Sequence, residues 1–191
     1  IDFINDDFLN INDAYDIIIQ DTAVVFNKYK VKKIGNTLRF LEANGRVHEV
    51  EYTNLPKDKI SWLGKPNYFL ECSGKNTLKE DCLGFLTGST EMVAISATSW
   101  DCDKVLVFGF NEETYQPKED KVISYGSCTV NAYVPISEYM NKKYGILDSD
   151  VNVIHNIQEY CLADNNTLNR KFCTLEKSGP DLLPFLGENN F

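Results

Sequence analysis

Between Lys121 and Lys143 the chain passes from an apolar strand to a long helix through three turn-prone residues, and this junction limits what the rest can be. Lys121 to Ser124 reads as a strand, Tyr125-Gly126-Ser127 as a tight turn, and Cys128 to about Lys143 as a helix with Cys128 in its first turn. A strand feeding directly into a helix is the joint of α/β folds. Unpaired N–H groups and the positive dipole end at a helix start favour an anion, so the position suits a thiolate. A thiolate needs a proton-handling partner, and the chain has only two histidines, His48 and His155. His48 falls in a polar hairpin. His155 ends the apolar run Val151-Asn152-Val153-Ile154, read as a strand after the helix and a turn at Gly145, and such a return can bring the imidazole back beside the thiol. On residue types alone, the commoner roles are a buried structural thiol and a satisfied histidine.

The remaining elements follow the same alternation. Ile1 to Ile4 reads as a strand closed by the polar turn Asn5-Asp6-Asp7. Ile11, Tyr15, Ile18 and Ile19 then recur at helical spacing behind the possible caps Asn10 and Asn12. Thr37 to Leu41 and Arg46 to Tyr52 flank Asn44-Gly45, a pair suited to a tight hairpin turn. Further strands are expected at Tyr68 to Cys72, Glu91 to Ser96 and Lys104 to Phe110, with a short helix from Asn76 to Leu86. Short apolar runs with helices between them indicate a parallel sheet covered on both faces, with one antiparallel excursion.

Several functions are disfavoured by composition. A net charge of −9 offers no basic stripe for a phosphate backbone, which argues against a nucleic-acid partner. The longest apolar run, Val105 to Phe110, falls far short of the ~20 residues of a membrane span. The six cysteines show no C-x-x-C spacing, which argues against a metal site and fits reduced thiols in a cytoplasmic protein. Asn165-Asn166-Thr167 matches a glycosylation sequon but reads as a plain loop in that setting.

Ser127-Cys128-Thr129-Val130-Asn131, with Pro135 four residues on, resembles the Ser-Cys-Thr-Thr-Asn nucleophile motif of the glyceraldehyde-3-phosphate dehydrogenase family, and the interval from Cys128 to His155 resembles the family's spacing between nucleophile and catalytic histidine. Ile4-Asn5-Asp6-Asp7-Phe8 is similar to the family's second strand and acidic turn. Glu71-Cys72-Ser73-Gly74 is similar to Glu-Ser-Thr-Gly, and Ile95-Ser96-Ala97-Thr98-Ser99 to Ile-Ser-Ala-Pro-Ser. Leu182-Leu183-Pro184 keeps an Ile-Ile-Pro pattern, but Phe185 to Glu188 replace Ser-Ser-Thr-Gly, and Gln158 stands where a phosphate-binding threonine is expected.

The resemblance implies an α/β chain: a Rossmann-like parallel sheet lacking its first strand-helix unit, followed by the start of an α+β catalytic domain. Residues 1–127 would form an incomplete NAD-binding domain and 128–191 the first part of the catalytic domain. It further implies NAD-dependent oxidation of a small aldehyde, phosphorylated or not, through a cysteine thioester. Cys128 would be the nucleophile and His155 its acid and base. Asn5, Asp6, Ser73, Gly74 and Ser96 would face NAD, an acidic residue after the second strand suiting a ribose diol and repelling a 2′-phosphate. On residue type alone Asp6 reads first as a turn residue. Ser127, Thr129 and Gln158 would meet the phosphate of the substrate or inorganic phosphate. A homo-oligomer is the implied assembly. A second reading is a degenerate relative that keeps the nucleophile segment and serves as a binding or regulatory module.

Overall fold

The computed structural model describes residues 1–21, 24, 29–154 and 173–187. By backbone contacts the chain forms two compact units, Ile1–Pro66 and Asn67–Phe191. The functional boundary expected at 127/128 therefore falls inside the second unit.

In the first unit β1 (Phe3–Asn5) leads to helix α1 (Ile11–Gln20), then to β2 (Tyr29–Ile34), β3 (Thr37–Glu42) and β4 (Val47–Thr53). The sheet order is β1-β4-β3-β2, with β1 parallel to β4 and the rest antiparallel. Asn10 caps α1, its side chain accepting the N–H groups of Asn12 and Asp13, and so settles which of the two asparagines starts the helix. The hairpin turns at Gly45, whose φ of 88° a side chain would resist. Leu38, fully buried, pairs with Val50; both pack with Tyr52 and Ala14, and Ile11, Tyr15 and Ile18 of α1 lie against them. Burial of a leucine like Leu38 is worth roughly 1.5–3 kcal/mol. β2 was not legible as an element because Tyr29-Lys30-Val31-Lys32-Lys33-Ile34 presents almost nothing to a core. It is an edge strand guarded by lysines.

The second unit carries the expected parallel sheet, in the order β5-β6-β8-β7: β5 (Tyr68–Glu71), β6 (Met92–Ile95), β7 (Lys104–Val105) and β8 (Val122–Ser124). β6 is buried along its whole length, as a strand covered on both faces must be. Helix α2 (Lys79–Leu83) is shorter than its pattern. The apolar run Lys104 to Phe110 also leaves the sheet early. The Asn111 side chain accepts the Val107 N–H at 2.7 Å and donates to the Val105 carbonyl at 2.9 Å, replacing a strand partner. Helix α3 (Cys128–Tyr144) and helix α4 (Leu175–Leu182) close the unit. Val107, Val130, Val134, Leu175, Leu183 and Leu186 form one core, so residues on both sides of position 127 share it. Val151 to Ile154, expected as a strand, have no regular secondary structure.

Candidate active site

β8 ends at Ser124, which is fully buried. Its hydroxyl donates to the Ala97 carbonyl at 2.6 Å and accepts the Gly126 N–H at 2.9 Å, while the Tyr125 N–H reaches the Ile95 carbonyl at 3.0 Å. These bonds tie the ends of β6 and β8 together and launch the turn. Gly126 has φ 69°, and a Cβ there would lie 3.1 Å from Val130 Cγ1, so only glycine fits between strand and helix. The Asn131 amide donates to the Tyr125 and Ser127 carbonyls at 2.5 and 2.9 Å and locks the turn from the helix side.

Ser127 is the N-cap of α3, its hydroxyl accepting the Val130 N–H at 3.2 Å. Cys128 is therefore the first residue of a 17-residue helix, and it is exposed. That placement differs from the buried structural thiol of the commoner reading. Thr129 Oγ1 lies 2.8 Å from Ser127 Oγ. Thr174, the cap residue before α4, donates to the same Ser127 oxygen at 2.8 Å, and Cys173 Sγ lies 4.0 Å from Thr129 Oγ1. Neither residue carried a signal in the sequence, because a contact from a distant helix start leaves no local pattern. His155 and Gln158 lie outside the described residues, as does Cys161.

The residues expected to face NAD stand as follows. In the first unit Asn5 spends its amide on structure, donating to the Leu55 carbonyl at 3.0 Å and accepting from Thr53 Oγ1 at 2.9 Å and the Leu55 N–H at 3.2 Å. Asp6 Oδ1 accepts the N–H groups of Phe8 and Leu9, both at 2.8 Å, leaving Oδ2 without a partner among the described residues. Asp6 thus holds its turn with one oxygen and leaves the other open. Tyr52, whose hydroxyl donates to the Leu9 carbonyl, steadies the same turn; burial, with Asp6 and Asp13 nearby, pushes its pKa up to about 12.

In the second unit Glu71 is buried and accepts from the Ser73 N–H at 2.7 Å, from the Ser73 hydroxyl, and from the Asn76 amide at 3.0 Å. Nothing in the residue pattern singles out that role for Glu71. Ser73 and Gly74 follow β5 and Ser96 follows β6, all three exposed at the carboxyl ends of parallel strands, where α/β sheets bind ligands. The Thr98 hydroxyl, on the loop after Ser96, is buried without a hydrogen-bond partner among the described residues. Within the first unit the open oxygen of Asp6 suits a ribose hydroxyl, and within the second the exposed strand-end residues suit polar groups of a ligand. Among the described residues no cluster of histidine, cysteine and carboxylate side chains could hold a metal ion, and no helix is long and apolar enough to cross a membrane.

Taken together these features define an α/β protein that presents an exposed thiol at a helix start, at the carboxyl edge of a parallel sheet. No family model matches the chain. Among curated proteins it is similar to glyceraldehyde-3-phosphate dehydrogenase 1 of Giardia intestinalis, 39% identical over 106 residues, which cover 54% of this chain and 31% of that protein. It is similar also to glyceraldehyde-3-phosphate dehydrogenase 1 of Globodera rostochiensis, 32% identical over 157 residues, or 80% of this chain and 47% of that protein. The cytosolic glyceraldehyde-3-phosphate dehydrogenase of Dianthus caryophyllus matches at 33% over 107 residues, 56% of this chain and 31% of that protein. The chain is a divergent, partial member of the glyceraldehyde-3-phosphate dehydrogenase family. The matched stretch spans less than half the length of each of these relatives.

Proposed function

We propose that this chain carries the nucleophile and part of the cofactor site of an NAD-dependent aldehyde dehydrogenase of the glyceraldehyde-3-phosphate dehydrogenase type. The observation that supports this most is the exposed Cys128 thiol at the first residue of α3, directly after the strand β8. In this reading the Cys128 thiolate adds to the carbonyl carbon of a small aldehyde, phosphorylated or not, and His155 takes and returns the hydroxyl proton. The N–H groups at the start of α3 offer positive charge to the oxygen as it gains electron density. For NAD, which would supply the hydride acceptor, the first unit offers Asp6 with Asn5 bracing its turn, and the second offers Ser73, Gly74 and Ser96. Cys128 then carries the acyl group as a thioester, and Ser127, Thr129 and Gln158 position the phosphate that receives it. Residues 1–127 serve the nucleotide and 128–191 open the catalytic domain. A homo-oligomer in the cytoplasm is the setting of this reading, the compartment alone being supported by the name of the cytosolic relative of Dianthus caryophyllus, and no observation favours a non-catalytic binding module instead.

Alkylation tests the assignment. Treated with iodoacetamide at pH 7, the intact protein should label at Cys128 at least about tenfold faster than at Cys72, Cys82 or Cys102, because rate follows thiolate fraction and access. Cys82 is fully buried, and burial pushes the Cys102 thiol up. Cys72 is the sharper control, being exposed but not at a helix start. Equal rates at Cys72 and Cys128 would remove the nucleophile assignment.

A further inference from the structure

The three hydroxyls at the start of α3 can have their protons assigned by counting. A hydroxyl gives one proton and accepts on two lone pairs. Ser127 Oγ accepts the Val130 N–H at 3.2 Å and the Thr174 O–H at 2.8 Å, so both lone pairs are used. Its single proton is then directed to Thr129 Oγ1, 2.8 Å away. Thr129, having accepted, must send its own proton elsewhere. Its remaining partner among the described residues is Cys173 Sγ at 4.0 Å, a weak acceptor at the limit of bonding distance. Thr129 is half-buried and adjoins the exposed Cys128. The chain of bonds therefore ends in a donor lacking a strong acceptor among the described residues, beside a thiol and at the positive end of a long helix. An oxyanion matches that donor in both charge and hydrogen-bond polarity.

We propose that Thr174 is a positioning residue: by donating to Ser127 Oγ it fixes the polarity of the Ser127 and Thr129 hydroxyls, so that Thr129 offers its proton to a phosphate group bound beside Cys128. The inference rests on the reading of Ser127 and Thr129 as the phosphate-binding pair. Without the Thr174 hydroxyl, Ser127 has a lone pair to spare and the pair can reverse. Thr129 would then turn a lone pair toward the anion and repel it.

The test is the phosphate dependence of Cys128 alkylation in the intact protein, comparing the parent with Thr174→Val and Thr174→Ser, at constant ionic strength set with chloride. In the parent, inorganic phosphate slows labelling. Thr174→Val needs about five- to tenfold more phosphate for half-protection, the effect of losing one organising hydrogen bond. Thr174→Ser restores the parent value. The same titration with glycerol 3-phosphate separates the sources: protection by inorganic phosphate alone marks a site for the free anion, and protection by the ester alone marks one for a substrate's phosphoryl group. Either one, weakened by Thr174→Val, supports the proposal. Parent-like protection in Thr174→Val overturns the role of Thr174 while leaving the phosphate-binding pair in place. If Thr174→Ser behaves like Thr174→Val, packing of the threonine methyl group is responsible and the proposal fails. Absence of protection in the parent, by either anion, overturns both the proposal and the reading of Ser127 and Thr129.

Discussion

Alanine at position 128 should leave the intact protein folded and unable to reduce NAD with any aldehyde that the parent oxidises, a fall of at least about 10³-fold in turnover. No other group at the start of α3 can take over the attack. Ser127 and Thr129 are hydroxyls already committed to hydrogen bonds with Val130, Thr174 and each other, and neither has a base recorded beside it among the described residues. Folding should be spared, because the side chain is exposed and alanine suits a helix. An exposed substitution of this kind stays within about 0.5 kcal/mol. NADH absorbance and a thermal melt measure the two halves of the expectation. Turnover within tenfold of the parent, in a protein that melts normally, would mean that Cys128 is not the nucleophile.

The second large effect lies in the core under that site. Leu183 is 1% exposed and packs with Val107, Val130, Val134, Leu175 and Leu186, the cluster that docks α4 against α3. Leu183→Ala removes buried methyl groups and leaves a cavity, which costs about 2–5 kcal/mol. Leu147, 91% exposed, is the matched control, and Leu147→Ala should change stability by less than about 0.5 kcal/mol. Urea unfolding of the two variants decides it. A difference below about 1 kcal/mol would show that the end of the described chain is not part of this core. Since α4 also brings Thr174 to Ser127, the same packing that stabilises the unit places a hydroxyl at the site.

What the sequence showed, and what it hid, follows from how local each cause is. The β8, turn and α3 series was legible because glycine, cap residue and apolar strand are consecutive, and each states its own requirement. The Asn44-Gly45 hairpin and the buried strands β5 and β6 were legible for the same reason. β2 was hidden because an edge strand rich in lysine lacks the alternation that betrays a half-buried one. The run after Val105 looked like a strand and is not, because a side chain six residues away, Asn111, captures the Val105 carbonyl. Of the site, Cys128, Ser127 and Thr129 were read from one contiguous motif. Thr174 and the grip of Glu71 on Ser73 depend on tertiary placement or on burial, and neither is written in residue type. Asp6 shows its turn role directly, one oxygen holding the turn, while the other has no partner among the described residues.

The first sheet joins strands of unequal reach. Leu41 faces Val47 across a short turn, whereas Phe3 must find Glu51 from the far end of the unit. Closing the longer loop costs about 2 kcal/mol more chain entropy than closing the shorter, and β1 offers only three residues of ladder in return. The strand is therefore held as much by side chains at its end as by its own backbone: the Asn5 amide on Leu55, the Asn54 amide on the Asp6 carbonyl at 2.6 Å, and the Tyr52 hydroxyl on Leu9. Those three bonds converge on the acidic turn. The rigidity of Asp6, and with it the entropy lost when any ligand settles on its open oxygen, is set by these polar contacts with residues 43 to 50 positions further along the chain together with its own backbone bond to Thr53.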